Sequence, residues 1–555
     1  MKNLIIIFIV MLFILTSCNL NFFPSDAMTS AQLQNDPSGV VYATDGNYSM
    51  FKDVLPYKGT SYDGNTYVRH YFQMTEFQSD NICLSGRTTD PLYQATTYER
   101  DATLGNVTYL WWVAYHVIYG ANAVIESIKD GASDATDHIK GENYFLRAFS
   151  TLNLVTLWAK PYVLGRDNLG VPLRTSTDAS VTKRATVGEC YDQIVSDLLN
   201  AIKLMSHGQT RGNAGYISEA AAQGLLSRVY LYMGENQKVI DIVNQMLNGA
   251  DPSSELEPSA TFPSYFANAL TSKETLWAVA KTPLESFGQG DIASMYLHDG
   301  IGWGEVYASD PLLDLYNRYP NDLRLKFIRP VYADTTKWMI RYPISTPGVN
   351  FESNQIQIVT KDPSTGLFYY TNNSNNVYVQ TELQNGYPVN YIMLNGVKTY
   401  VHLSKQLALR NTFPLFYVLK FSYQNGDPML SSPVMIRWAE VILNRAEAYA
   451  KLGMDAEALA DVNVIRKRAG LTGDELFSLS NMHGYQNVLD VVLDERRMEL
   501  AFEGQRAFDV FRNKLSLNRE YPGVQPWEII NYNDNKIQYL IPQDEITVSG
   551  IQQNP

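Results

Sequence analysis

Three stretches of this 555-residue chain carry apolar residues at helical spacing, and each is followed closely by a second stretch of the same kind. From Asn106 to Asp130, Leu110, Val113, Val117, Ala121, Ile125 and Ile128 recur at three- and four-residue intervals, which marks one face of an α-helix. The turn-forming segment Gly131 to Asp137 leads into a second such run, His138 to Trp158, so the spacing predicts a helical hairpin. The plan repeats at Thr186 to Met205 followed by Ile217 to Met233, and at Val434 to Leu452 followed by Asp455 to Ala469. A chain built this way is mainly α.

In the last pair, Ala446-Glu447-Ala448-Tyr449-Ala450-Lys451-Leu452-Gly453 and then Ala458-Leu459-Ala460 resemble the small-residue and Leu-Gly pattern of tetratricopeptide repeats. Small side chains there let paired helices approach closely, and the pairs stack. Two regions break the pattern: Gln32 to Tyr98 and Pro252 to Pro428 are rich in Gly, Asn, Pro, Ser and Tyr, with alternating runs at Gly366 to Thr371 and Val397 to Leu403 that read as hairpins. The expected fold is therefore a tetratricopeptide-like helical-hairpin scaffold with long irregular inserts and a few short β-hairpins. Residues 18–250 form its N-terminal half, 251–430 a loop-rich insert region and 431–555 a C-terminal helical region. No charge run or low-complexity linker divides them, so one interlocked globule is expected.

Residues 1–17 read as a signal peptide: Lys2 gives a positive start, and Leu4 to Leu15 form an apolar stretch too short to span a bilayer. The stretch ends in Leu15-Thr16-Ser17-Cys18, which resembles the lipobox of bacterial lipoproteins and makes Cys18 the expected acylation site. A protein so processed is anchored to a membrane rather than embedded in it. Asn19 gives no inner-membrane retention signal of the usual kind, and the residues after it lack an acidic export cluster. The formal net charge of −13 becomes −14 once Lys2 leaves with the signal, which argues against a nucleic-acid partner. Cys83 and Cys190 show no spacing that suggests zinc or a redox pair and read as two isolated buried thiols, with a disulfide between them as the alternative. The 37 Tyr, 22 Phe and 8 Trp supply flat rings with polar edges, which suit stacking against sugar rings as well as cores.

The C-terminal quarter carries longer motifs. Ile436-Arg437-Trp438-Ala439-Glu440-Val441-Ile442-Leu443 with Asn444-Arg445-Ala446-Glu447-Ala448, then Val464-Ile465-Arg466-Lys467-Arg468-Ala469-Gly470-Leu471, precede Asp494-Glu495-Arg496-Arg497-Met498-Glu499-Leu500-Ala501-Phe502-Glu503-Gly504-Gln505-Arg506. Leu540-Ile541-Pro542-Gln543-Asp544-Glu545-Ile546 and Gln553-Asn554-Pro555 close the chain, while Phe145-Leu146-Arg147-Ala148-Phe149 and Leu225-Leu226-Ser227-Arg228-Val229-Tyr230-Leu231 stand upstream. In this order they resemble the SusD/RagB family of Bacteroidetes outer-membrane nutrient-binding lipoproteins, over nearly the whole chain that follows Cys18. Physically, Glu495, Glu499 and Glu503 would share one helix face beside Arg496 and Arg497, an ion-pair lattice pinning the last helices to the scaffold, with Gly504 allowing close approach.

No G-x-S-x-G elbow, phosphate-cradling Gly-Lys-Ser/Thr loop, G-x-G-x-x-G or His-Glu-x-x-His occurs, and no cofactor is expected. The resemblance implies a binding protein rather than an enzyme, one that captures oligosaccharides at the cell surface and caps a SusC-like TonB-dependent β-barrel transporter. It also implies a site built from loops, one before the first long helix and one in the middle insert. Those regions hold Tyr93, Tyr98 and Arg100, and then Tyr296, Trp303, Glu305 and Tyr307. Trp303 is the leading candidate, because flanking glycines give its ring little local cover, whereas Trp111, Trp112, Trp158, Trp277 and Trp438 fall in helix or strand patterns and read as core. A surface-anchored glycan hydrolase and a peptide-binding lid of the RagB type are the alternatives.

Overall fold

The computed structural model describes residues 38–59, 64–86, 92–178, 180, 183–208, 210–346, 350–384 and 386–555; the expected signal segment and Cys18 lie outside them. In chain order the helices that matter here are α1 (Gly39–Ser49), α2 (Tyr67–Glu76), α3 (Leu92–Thr97), α4 (Gly105–Ser127), α5 (Asp134–Trp158), α6 (Val187–Met205), α7 (Glu219–Met233), α8 (Asn236–Leu247), α9 (Asp310–Asn317), α10 (Trp438–Lys451), α11 (Asp455–Arg468), α12 (Val488–Glu499) and α13 (Arg506–Arg512). The three expected hairpins are α4 with α5, α6 with α7, and α10 with α11. Their starts follow local chemistry: the Ser133 side chain accepts from Thr136 N, Ser218 accepts from Ala221 N, and Thr186 with Glu189 closes a capping box.

Three contacts of the scaffold, α5 with α6, α7 with α10 and α10 with α11, also carry a buried arginine–carboxylate pair. Arg147 on α5 holds Asp197 on α6 through Nε–Oδ2 and Nη2–Oδ1 bonds of 2.8 and 2.6 Å. Arg228 on α7 reaches Glu440 on α10 at 2.5 and 2.7 Å, and Arg445 on α10 holds Asp461 on α11 at 2.8 and 2.7 Å. Two-point contacts of this kind fix the direction of one helix against the next as well as their separation. The main core runs from Phe51 to Ile551, so chain segments far apart in sequence close over one another.

The strands used below are β1 (Ile82–Leu84), β2 (Thr275–Ala278), β3 (Val306–Ala308), β4 (Tyr332–Thr346), β5 (Asn350–Lys361), β6 (Phe368–Asn372), β7 (Asn375–Tyr378), β8 (Gln380–Gln384), β9 (Tyr387–Leu394), β10 (Val397–Tyr400), β11 (His402–Leu407) and β12 (Val434–Arg437). The insert is more ordered than short hairpins. β4 and β5 form a long antiparallel ladder from Trp338↔Val359 to Thr346↔Asn350, inside a five-stranded sheet of order β7-β6-β5-β4-β11. A three-stranded sheet, β8-β9-β10, shares a core with it through Ile340, Tyr342, Val359, Tyr370, Val379, Ile392 and Val401. Of the run Gly366 to Thr371 only Phe368 to Thr371 falls on β6, and Val397 to Leu403 is split at Val401 between β10 and β11.

Two further differences concern the C-terminal quarter. Val434–Arg437 is a strand that pairs with β2, so the third hairpin begins at Trp438. α12 ends at Glu499, and Glu503 lies in the turn that follows instead of on the same helix face. The ion lattice forms nonetheless. Arg437 donates to Glu274, Glu499 and Glu503, Arg324 to Glu495 and Glu499, Arg466 to Glu495, and Arg468 to Glu274 and Glu499. Gly504 approaches α2 so closely that a Cβ there would collide with the Thr75 hydroxyl. Trp111, Trp158, Trp277 and Trp438 are buried and Trp112 is half-buried, while Cys83 and Cys190 are buried free thiols whose pKa values burial raises, that of Cys190 to about 11.

Candidate functional site

The β1–β3 ladder pairs Ile82 with Ala308, Cys83 with Tyr307 and Leu84 with Val306, and so sets the loop before the first long helix beside the Trp303 loop. That loop ties its backbone to itself. Ile301 N and Gly302 N donate to His298 O at 2.8 and 2.7 Å, and Trp303 N and Gly304 N donate to Ser294 O at 2.7 and 2.8 Å. With its donors satisfied internally, the loop needs no neighbouring strand to cover it. No side chain fits at the flanking glycines: a Cβ at Gly302 would strike Leu297 O, and Gly304 has φ +53 with Tyr417 and His298 atoms 3.0 Å from its Cβ position. The indole between them is 50% exposed.

Arg410 completes this surface from a tight turn more than a hundred residues downstream. Its Nη1 donates to Trp303 O at 2.8 Å and to Gly304 O at 3.3 Å, and its Nη2 meets Glu305 Oε1 at 3.2 Å. The next residue, Asn411, donates through Nδ2 to Ser85 O at 3.0 Å, so three separate chain segments are fastened together at the ring. On the same loop Asp299 pairs with Arg329 and accepts from the Tyr423 hydroxyl, while Arg329 Nη1 donates to that hydroxyl at 2.9 Å. Burial alone would raise the Asp299 pKa, but these two partners bring it below its ordinary value. The result is a half-open aromatic ring with a guanidinium and a carboxylate beside it, all held in fixed directions.

Of the remaining sequence candidates, Glu305 lies at this surface and Tyr93 is half-buried on α3, at the margin of the main core. Four others are corrected by the structure. Tyr296 is enclosed, its ring stacked 5.5 Å from Phe421 with Phe77 and Phe502 at its edges. Tyr307 sits on β3, whose three residues are all buried. Tyr98 is buried and donates its hydroxyl to Gln78 O at 2.8 Å. Arg100 is half-buried, stacked 4.6 and 3.9 Å from the Tyr98 and Tyr539 ring centres and donating to Lys536 O at 2.7 Å and to Gln78 Oε1 at 3.1 Å. Rings packed on both faces offer no platform to a ligand. Sequence reading missed Arg410 and the Asp299–Arg329–Tyr423 group, whose partners lie 30 to 124 residues apart.

Among the described residues no helix is long and apolar enough to cross a membrane, and no group of three or more His, Cys, Asp or Glu side chains is arranged to hold a metal ion. Comparison with known proteins agrees with the fold. A family model described as starch-binding associating with outer membrane matches residues 61–231, and the SusD family model matches residues 299–554. A SusD-like protein of Formosa agariphila is 24% identical over 452 residues, covering 79% of this chain and 77% of its own length. A second from the same organism is 24% identical over 473 residues, 80% of each chain. The crystal structure of a SusD superfamily protein from Bacteroides thetaiotaomicron is similar at a TM-score of 0.68 and 25% identity, over 93% of this chain and 99% of that one. A SusD-like carbohydrate binding protein from Bacteroides vulgatus gives a TM-score of 0.65 at 18% identity, over 92% and 95% of the two chains.

Proposed function

The chain belongs to the SusD/RagB family, and from that premise we propose that it captures oligosaccharides at the outer cell surface and passes them, uncut, to a TonB-dependent β-barrel transporter. The observation that carries this reading is the exposed Trp303 ring on its self-bonded loop, with Arg410 and Glu305 alongside. A sugar ring has an apolar face formed by its C–H groups and a rim of hydroxyls. The indole offers area to the face, and the guanidinium and carboxylate offer a donor and an acceptor to the rim. Because Arg410 already fixes the positions of Trp303 O and Glu305, little ordering is left to be done on binding. Acylation of Cys18 would hold the protein at the outer membrane, as the starch-binding, outer-membrane-associating family to which residues 61–231 are matched leads one to expect.

The test is a screen of immobilised glycans with the protein from Asn19 onward, repeated with Trp303→Ala and followed by analysis of the bound sugar. Selective retention of intact sugar that weakens tenfold or more in the variant, about 1.4 kcal/mol, is the expected result. New reducing ends appearing with time would refute the binding-only reading. Unchanged binding by the variant would remove Trp303 from the site.

A further inference from the structure

A second concave surface lies between the β layer and the helical body. It is a cleft of about 1540 Å³, walled by α9 and the turn after it, by β9 to β11 of the insert, and by the C-terminal segment that carries Trp527. Its volume exceeds the roughly 300–1,000 Å³ of ordinary small-molecule pockets and suits a ligand several rings long. Arg329 lies on its border and pairs with Asp299 of the Trp303 loop, so the two surfaces meet at one guanidinium.

Among the aromatic rings lining this cleft are Tyr332, Tyr387, Tyr400 and Trp527. These four come from three distant parts of the chain, and none of them is buried: Tyr332 and Tyr400 are 47% and 45% exposed, and Tyr387 and Trp527 are half-buried. Two are held by their hydroxyls. Tyr387 shares a 2.6 Å hydrogen bond with Tyr319, and Tyr400 donates to Glu382 Oε1 at 2.9 Å, which orients each ring without packing it away. Polar groups face the same space. His402 stands between Asp310 and Asp314, its Nε2 3.7 Å from Asp310 Oδ2 and its Nδ1 3.4 Å from Asp314 Oδ1. The buried Arg341 holds Asp310 at 2.5 and 2.6 Å, whereas the Asp314 side chain is 58% exposed. An exposed carboxylate directed by an imidazole is a good acceptor for paired hydroxyls.

Charge narrows the ligand class. Four acidic and four basic side chains line the cleft and cancel formally, leaving no excess of either sign for an anionic or cationic polymer to follow. We propose that this cleft is a second binding site, taking a neutral oligosaccharide several residues long, in addition to the Trp303 surface. The inference rests on the glycan-capture reading, and its test separates the two.

The protein from Asn19 onward is titrated calorimetrically with maltohexaose, cellohexaose, xylohexaose and mannohexaose. With at least one of them, wild type should bind two molecules per chain, the Tyr400→Ala/Trp527→Ala double variant one, and Trp303→Ala one. Amide exchange of unmodified wild type gives a readout that needs no variant: bound hexasaccharide should slow exchange in residues 397–402 and 520–527. One molecule per chain, unaffected by the double variant and without that protection, would overturn the second site while leaving glycan capture standing. Binding of none of the four sugars would overturn both.

Discussion

Replacing Arg437 with methionine removes the central cation of the lattice behind α12. The side chain is fully buried and makes five hydrogen bonds: Nε to Glu503 Oε2 at 2.8 Å, Nη1 to Glu274 Oε1 at 2.9 Å and Glu499 Oε1 at 2.6 Å, and Nη2 to Glu499 O and Glu503 Oε1 at 2.8 Å each. Its loss does not orphan the three carboxylates equally. Glu274 and Glu499 keep Arg468, and Glu499 also keeps Arg324 at 3.3 Å, but Glu503 retains only Lys420 at 2.7 Å as an ionic partner. Removing one member of a buried ion pair costs about 3–5 kcal/mol, and about 4 kcal/mol is expected here. Burial by itself would raise the pKa values of Glu499 and Glu503, yet the cations around them, Arg468 and Arg437 for Glu499 and Arg437 and Lys420 for Glu503, hold both below the usual range. Carboxylates depressed in this way contribute stability that is present above the unfolded value of about 4.3 and is lost as pH falls through the folded value. The deficit of Arg437→Met should therefore be full at pH 7.5 and shrink only as pH falls below about 4.3. Urea unfolding followed by tryptophan fluorescence at several pH values measures it, urea being chosen because an ionic denaturant would screen the lattice. A second variant, Arg437→Met/Glu503→Gln, should recover part of the loss. A deficit under about 1 kcal/mol, or one that is the same at every pH, would refute the claim that the lattice holds the C-terminal layer in place.

Two further outcomes follow from the geometry. Burial pushes the pKa of Glu142, which faces Asp45, Tyr48, His138 and Arg211, up to about 7. A raised folded value means that its contribution is full below the unfolded value of about 4.3 and is lost as pH rises through 7, a swing of roughly 3 kcal/mol. The difference between the urea stabilities of wild type and Glu142→Gln should therefore tilt toward the variant from pH 4 to pH 8, and a flat difference would contradict the burial argument. Gly504→Ala should cost about 2–4 kcal/mol, combining a φ of +74 with overpacking against Thr75. Adding Thr75→Ala should return the steric share and leave about 1 kcal/mol for the backbone.

The helical scaffold was legible because its signal is local. Each predicted hairpin lies on a run whose apolar period matches the face it buries, and residues such as Ser133 and Thr186 mark the starts. The failures share a cause. Val434 to Ile436 are apolar, and with Arg437 they are fully buried and contiguous with a helix, so period alone cannot distinguish the segment from a first helical turn; its strand character comes from β2, about 160 residues away. β5 carries polar residues on both faces, Gln355 and Gln357 on one and Thr360 on the other, and Pro343 interrupts β4, which mutes the alternation that marks a strand. Glu503 left the predicted face because Leu500 to Gly504 form a turn, and what places it is the distant guanidinium of Arg437.

The same contrast sorts the site residues. Tyr296, Trp303 and Tyr307 lie within twelve positions of one another, and composition does not distinguish them. Their backbones do. Tyr307 belongs to a strand, and the neighbour that satisfies its amides, β1, brings side chains that cover it on the way. Tyr296 ends a single helical turn folded onto Phe421 and is covered likewise. Trp303 instead sits where the chain satisfies its own donors through Ser294 and His298 and where Gly302 and Gly304 have no side chains to lay over the ring. An aromatic ring stays open when the backbone beneath it is satisfied within its own loop, and the glycines that permit this are visible in sequence. The Arg410 guanidinium that makes the ring part of a site is not, because it arrives through tertiary contact alone.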